Sequence, residues 1–135
     1  MIKEGIEIDN QIQIEKSGIE YILGPCSAED ENMIQWTTEQ ALKRGDRYAR
    51  LVLFKPRTQP GYSGMGLVGV NYLIEAAQMG IIPATEVLDL KQAEYIVKEF
   101  EKKDLRLLLW GGSRNQNQTF QSGLGILAKE YPRME

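Results

Sequence analysis

Arg50, Lys55 and Arg57 are three cations within eight residues, in the stretch RLVLFKPRTQPGYSGMGLVG that runs from 50 to 69. Arginine offers a bidentate fork and lysine a mobile point charge. A glycine-rich backbone, here with glycines at 61, 64, 66 and 69, can approach an anion closely. The chemistry this combination suits is the holding of a phosphorylated or carboxylated small molecule. The plainer alternative is that Lys55 and Arg57 are solvated loop charges. Stepping outward, Leu51–Phe54 is a continuous apolar run of the kind buried on both faces of a parallel sheet. It breaks into Lys55-Pro56-Arg57-Thr58, and Pro60-Gly61 punctuates the loop. The cations therefore bracket a buried strand and lie at its ends.

Composition removes several other chemistries. The chain has 135 residues, a formal net charge of -3, one cysteine and no histidine. Without imidazole, the usual near-neutral acid/base and the commonest metal ligand are both missing, and no serine–histidine or cysteine–histidine nucleophile can be built in one chain. A single cysteine excludes an internal disulfide framework. Mild acidity argues against nucleic acid, whose binders carry a basic face. No long apolar run or secretory signal pattern is present, so the expected setting is cytoplasmic, with no membrane contact.

The elements needed to position the cations follow a repeating pattern. Residues 5–14, GIEIDNQIQI, alternate isoleucine with polar residues and predict a β-hairpin, assigned to residues 1–18. Residues 19–135 predict four β-α units: strands at 21–23, 50–54, 81–87 and 105–110, and helices reaching to 47, over 68–79, over 90–102 and over 119–130. Met33, Ile34, Trp36, Thr37 and Leu42 are expected on the packed side of the first helix. Short β-α connections imply an α/β fold with a parallel sheet. Gly24-Pro25-Cys26, Lys55-Pro56-Arg57-Thr58, Thr85-Glu86 and Gly112-Ser113-Arg114 then all fall at the C-terminal ends of strands, the rim where parallel α/β proteins bind ligands.

Four of these blocks carry a resemblance. Gly24-Pro25-Cys26-Ser27-Ala28-Glu29, Arg50 with Lys55-Pro56-Arg57-Thr58, Ala84-Thr85-Glu86-Val87 and Leu109-Trp110-Gly111-Gly112-Ser113-Arg114-Asn115 resemble, in order, the 3-deoxy-D-arabino-heptulosonate 7-phosphate synthases of the short, bacterial type I form. The resemblance implies a (β/α)8 TIM barrel that condenses phosphoenolpyruvate with erythrose 4-phosphate in the shikimate pathway, a transferase using a divalent metal such as manganese. On it, Arg50, Lys55 and Arg114 match positions that hold phosphoenolpyruvate, with Arg50 and Lys55 the pair assigned to catalysis. Arg57 and Thr58 match contacts to erythrose 4-phosphate. Cys26 matches a metal ligand, Ser113 stands where a backbone N–H meets a phosphate, and Glu86 matches a rim carboxylate. Trp110-Gly111-Gly112-Ser113-Arg114 departs from the usual isoleucine-glycine-alanine-arginine.

The sequence covers only the first four of eight β-α units, where a whole barrel takes about 250 residues. The family's further metal ligands, a histidine, a glutamate and an aspartate, belong to later strands. The expectation is therefore a half barrel that binds phosphorylated small molecules while being catalytically incomplete by itself, with no metal held tightly. The alternatives are a non-catalytic phosphate- or phosphoenolpyruvate-binding regulatory module and one subunit of a split barrel. A half barrel would leave the barrel-facing side of its sheet bare and two strand edges unpaired, so a homo-oligomer or a complementing half-barrel chain is the expected partner.

Overall fold

The computed structural model describes residues 20–25, 27–54, 66–111 and 117–135. The hairpin expected over 1–18 lies outside them. The described chain runs β1 (Ile22–Leu23), α1 (Glu31–Arg44), β2 (Tyr48–Arg50), a short 3-10 turn (Gly66–Gly69) leading into α2 (Val70–Gln78), β3 (Ile82–Val87), α3 (Leu90–Lys102), β4 (Leu108–Gly111) and α4 (Gln118–Glu130). The four strands form one parallel sheet in the order β1-β2-β3-β4. This is the α/β half-barrel arrangement that the β-α repeat predicts.

Local chemistry sets where each helix begins. Asp30, Asp89 and Asn117 each adopt extended backbone and accept a hydrogen bond from the N–H three residues on, at Met33, Gln92 and Phe120. Gly45 closes α1 at φ +81°, a left-handed conformation that suits glycine. Asp89→Ala should cost about 1 kcal/mol in urea unfolding, the usual worth of an N-cap. No change in the unfolding midpoint would mean that the cap is not formed.

One face of the sheet packs under the helices. Ala49, Leu51 and Leu53 point there and join Leu73, Val87, Ile96, Val97 and Phe100 in a single buried cluster. The packed side of α1 departs from expectation in part: Ile34 and Thr37 are buried as expected, joined by Thr38 and Ala41, whereas Trp36 is 63% and Leu42 36% exposed. Thr38 is accommodated because its hydroxyl donates to the Ile34 carbonyl at 2.8 Å. The small buried residues bring α1 close to the sheet, and the larger apolar ones lie to the side.

β2 also departs from the expected 50–54. It ends at Arg50, and residues 51–54 are held instead by single bonds to three different segments. Leu51 N–H donates to the Ala84 carbonyl (2.8 Å), the Val52 carbonyl accepts from Ala28 N–H (2.7 Å), and the Leu53 carbonyl accepts from Gly66 N–H (2.9 Å). The Leu53 N–H goes to the Thr85 hydroxyl at 3.0 Å. The apolar run reads as strand because all four side chains are buried, yet the ladder stops once its partners become loops and a side chain.

The opposite face is not bare. Tyr48, Val52 and Ala84 are buried there. The Tyr48 hydroxyl donates to Glu135 Oε1 at 2.8 Å, although β3 and β4 stand between them. In a flat sheet these positions would be about 14 Å apart with side chains perpendicular to it, so the contact requires a sheet curled towards this face. Burial and the neighbouring Glu135 carboxylate raise the Tyr48 phenol above its ordinary 10.0. Glu135 also pairs with Arg106.

The β4 edge is likewise not wholly unpaired. Leu107 bridges Met134 in parallel, with Leu107 N–H to the Arg133 carbonyl, Glu135 N–H to the Leu107 carbonyl and Leu109 N–H to the Glu135 carbonyl. The C-terminal tail thus occupies the position of a fifth parallel strand. Among the described residues no helix is long and apolar enough to cross a membrane.

Candidate functional site

Alternation along β2 and β3 decides which side chains reach the concave face. Tyr48, Arg50 and Val52 project to it, as do Ala84 and Glu86. In the register Arg50 pairs with Ala84, so Glu86 stands one step further towards the rim on the neighbouring strand. Glu86 in turn pairs with Trp110. Arg50 and Glu86 thus bring a cation and a carboxylate to the same face at the C-terminal ends of adjacent strands. Glu86 is 9% exposed.

Arg50 is held by the end of β1. Its Nη2 donates to the Gly24 carbonyl at 2.8 Å and its Nε to the Pro25 carbonyl at 3.2 Å. These two acceptors are neutral carbonyls, which aim the guanidinium along the rim. Gly24 permits this anchoring because it lies flat against β2: a Cβ there would sit 2.0 Å from the Arg50 carbonyl oxygen. The sequence places Gly24-Pro25 at a strand end on the rim, but does not point to a positioning role for its two carbonyls. Backbone acceptors leave no residue-type signature.

Thr85 is a second positioning residue without an earlier role. It is 1% exposed and points away from the site. Its hydroxyl accepts from the Leu53 N–H and so fixes the backbone two residues before Lys55. Ser27, also buried, has a hydroxyl with no hydrogen-bond partner among the described residues. Gly111 has a packing role, since a Cβ would come 2.7 Å from the Phe120 ring. Its place in the Trp-Gly-Gly departure lets α4 approach β4.

The structure brings Arg50 and Glu86 together on one face. Cys26, Lys55, Arg57, Thr58, Ser113 and Arg114 lie outside the described residues. Their chain neighbours Pro25, Phe54 and Gly111 each stand at or just beyond the C-terminal end of a strand. Among the described residues no three potential His, Cys, Asp or Glu ligands cluster, and the sequence holds no histidine and one cysteine. The described residues by themselves do not assemble the about three protein ligands of a transition-metal site.

Comparison with known proteins gives a consistent assignment. Residues 6–102 match the DAHP synthetase I family. A phospho-2-dehydro-3-deoxyheptonate aldolase of Thermotoga maritima is 34% identical, over 82% of this chain and 36% of its own length. The crystal structure of a phospho-2-dehydro-3-deoxyheptonate aldolase (DAHP synthase) from Thermotoga maritima superposes with a TM-score of 0.54 at 26% identity, covering 85% of this chain and 40% of that one. The chain therefore spans little more than a third of the length of the curated relative.

Proposed function

Because the chain belongs to the DAHP synthetase I family, we propose that it supplies the phosphoenolpyruvate-binding portion of an aldol-type condensing enzyme of aromatic amino-acid biosynthesis, and that by itself it binds the anion without turning it over. The observation that carries the reading is the anchoring of Arg50 by Gly24 and Pro25 at the strand-end rim. A guanidinium already fixed in place loses little rotamer freedom on meeting a carboxylate or phosphate, so more of the charged hydrogen bond appears as affinity.

In this reading Arg50, Lys55 and Arg114 hold the phosphoenolpyruvate, with Ser113 offering a backbone N–H to its phosphate. Arg57 and Thr58 face the second, sugar phosphate substrate. Glu86 adds a carboxylate among these cations, where it limits their mutual repulsion and orients Arg50 or a bound water. A divalent metal would polarise the carbonyl under attack in the complete enzyme. The donors among the described residues do not assemble a site for one. Condensation then needs groups beyond those this sequence contains, whereas anion binding does not.

The test is calorimetric titration of the chain with phosphoenolpyruvate in low salt, beside an assay for heptulosonate phosphate formation with manganese and both substrates. Binding without product is expected. Arg50→Gln should weaken binding by roughly tenfold to a hundredfold, the worth of one charged hydrogen bond. Affinity equal to wild type in that variant would sink the role of Arg50. Turnover by the chain alone would refute its incompleteness.

A further inference from the structure

We propose that Tyr48 is a positioning residue for the rim site: its bond to Glu135 straps the lower end of the sheet and so sets how the upper ends of β2 and β4 face each other. The proposal rests on the anion reading of that rim and names what holds its geometry. Tyr48 opens β2, on the same concave face as Arg50 and two residues below it. That separation is about 7 Å along a strand, so Arg50 follows any tilt of Tyr48. Tyr48 is 5% exposed, and its hydroxyl donates to Glu135 Oε1 at 2.8 Å. A phenylalanine would fill nearly the same space. What the hydroxyl adds is the bridge.

This bond is the middle of a run of polar contacts across the strand starts. Glu20, just ahead of β1, pairs with Arg47, just ahead of β2, at 2.8 Å. The Arg47 guanidinium stands over the Tyr48 ring, 5.4 Å from its centroid, a cation–π geometry. The Arg47 carbonyl accepts from Ile82 N–H at the start of β3, at 2.8 Å. Beyond Tyr48, Glu135 uses its second oxygen, Oε2, for Arg106, just ahead of β4. The run therefore touches the lower end of every described strand and the C-terminal tail. Its outer ion pairs are half-exposed, and pairs of that kind contribute little. The step from Tyr48 to Glu135 is the enclosed one and carries most of the strap.

Curl set at the lower end reaches the rim. β2, β3 and β4 are hydrogen-bonded in register, so they tilt together. Opening the strap flattens the sheet, and the rim ends of β2 and β4 then turn away from each other. Arg50 keeps its anchors on Gly24 and Pro25, but the end of β4 no longer faces it as closely. A ligand that bridges these strand ends loses contacts on one side. Trp110 reports the movement: it pairs with Glu86 and, alternating with the core residue Leu109, lies on the concave face of β4.

The test first reads the chain without ligand. In a Trp36→Phe background Trp110 is the one tryptophan left. There Tyr48→Phe should increase acrylamide quenching of its fluorescence, with unchanged helical circular dichroism. Phosphoenolpyruvate should then bind Tyr48→Phe about threefold to tenfold more weakly, the worth of one hydrogen bond. Glu135→Ala should do the same, and the double variant should be no weaker than either alone, because both remove one contact. If Tyr48→Phe loses helical signal, Glu135→Ala gives the reading, since that side chain is 36% exposed. Unchanged quenching overturns the strap. Raised quenching with unaltered affinity, or fully additive losses in the double variant, overturns the positioning role. A parent chain that binds no phosphoenolpyruvate overturns the anion reading and the role of Tyr48 in it, while quenching still decides the strap.

Discussion

Replacing Gly24 with alanine is expected to destabilise the chain by about 3 kcal/mol, the range in which backbone displacement by an added carbon falls. The new Cβ would stand 2.0 Å from the Arg50 carbonyl oxygen and 2.9 Å from its carbon. Those atoms are backbone, so no side chain can swing aside to relieve the contact. Among the described residues β1 contributes two paired residues, Ile22 with Tyr48 and Leu23 with Ala49, and the Arg50 and Arg47 side chains of the neighbouring segment reach Gly24, Pro25 and Glu20 beside it. Its displacement also withdraws the two carbonyls from the Arg50 guanidinium. Urea unfolding should therefore show a lower midpoint, and phosphoenolpyruvate binding should weaken in the fraction that stays folded. Gly125→Ala is the control, because its Cβ meets nothing and should add about 0.5–1 kcal/mol. Equal stability of Gly24→Ala and the parent protein would show that β1 does not approach β2 as closely as described.

What the sequence revealed and what it concealed divide along physical lines. α3 was legible to the residue: Asp89 caps it, and Ala93, Ile96, Val97 and Phe100 repeat at helical spacing. The parallel order of the strands was legible as well, because short β-α connections admit few other topologies. The packed face of α1 was read in part: Ile34 and Thr37 are buried as expected, but hydrophobicity favours Trp36 and Leu42 where close approach favours Thr38 and Ala41. β2 was placed too late because burial of Leu51–Phe54 resembles a strand even where the hydrogen bonds go to loops and to Thr85. At the site, Arg50 and Glu86 were visible as charged residues at strand ends. The carbonyls that aim Arg50 were not visible, because backbone atoms are the same in every residue. The curl of the sheet is reported by the contact between Tyr48 and Glu135, which are 87 positions apart. No local pattern reports such a contact.

Phe100→Ala should cost about 3–5 kcal/mol, the cost of deleting a buried aromatic ring from a core that cannot fully collapse around the void. Phe100 is fully buried and lies in the last turn of α3, in the cluster that also holds Ile96, Val97 and Leu107. The backbone around it is fixed by other bonds: the Phe100 carbonyl accepts from both Lys103 and Leu105 N–H, so α3 cannot slide inward without breaking the turn that leads to β4. The cavity should therefore persist, and with it most of the penalty. For a domain of marginal stability, with about 5–15 kcal/mol in total, that loss brings a large unfolded fraction within reach of mild denaturant. Tyr95 supplies the contrast on the same helix. It is 46% exposed, and Tyr95→Ala should change stability by about 0.5 kcal/mol or less. Chemical denaturation of both variants separates the core-facing side of α3 from its outer side. A Phe100→Ala cost below about 1 kcal/mol would mean that α3 does not seat this ring against the sheet.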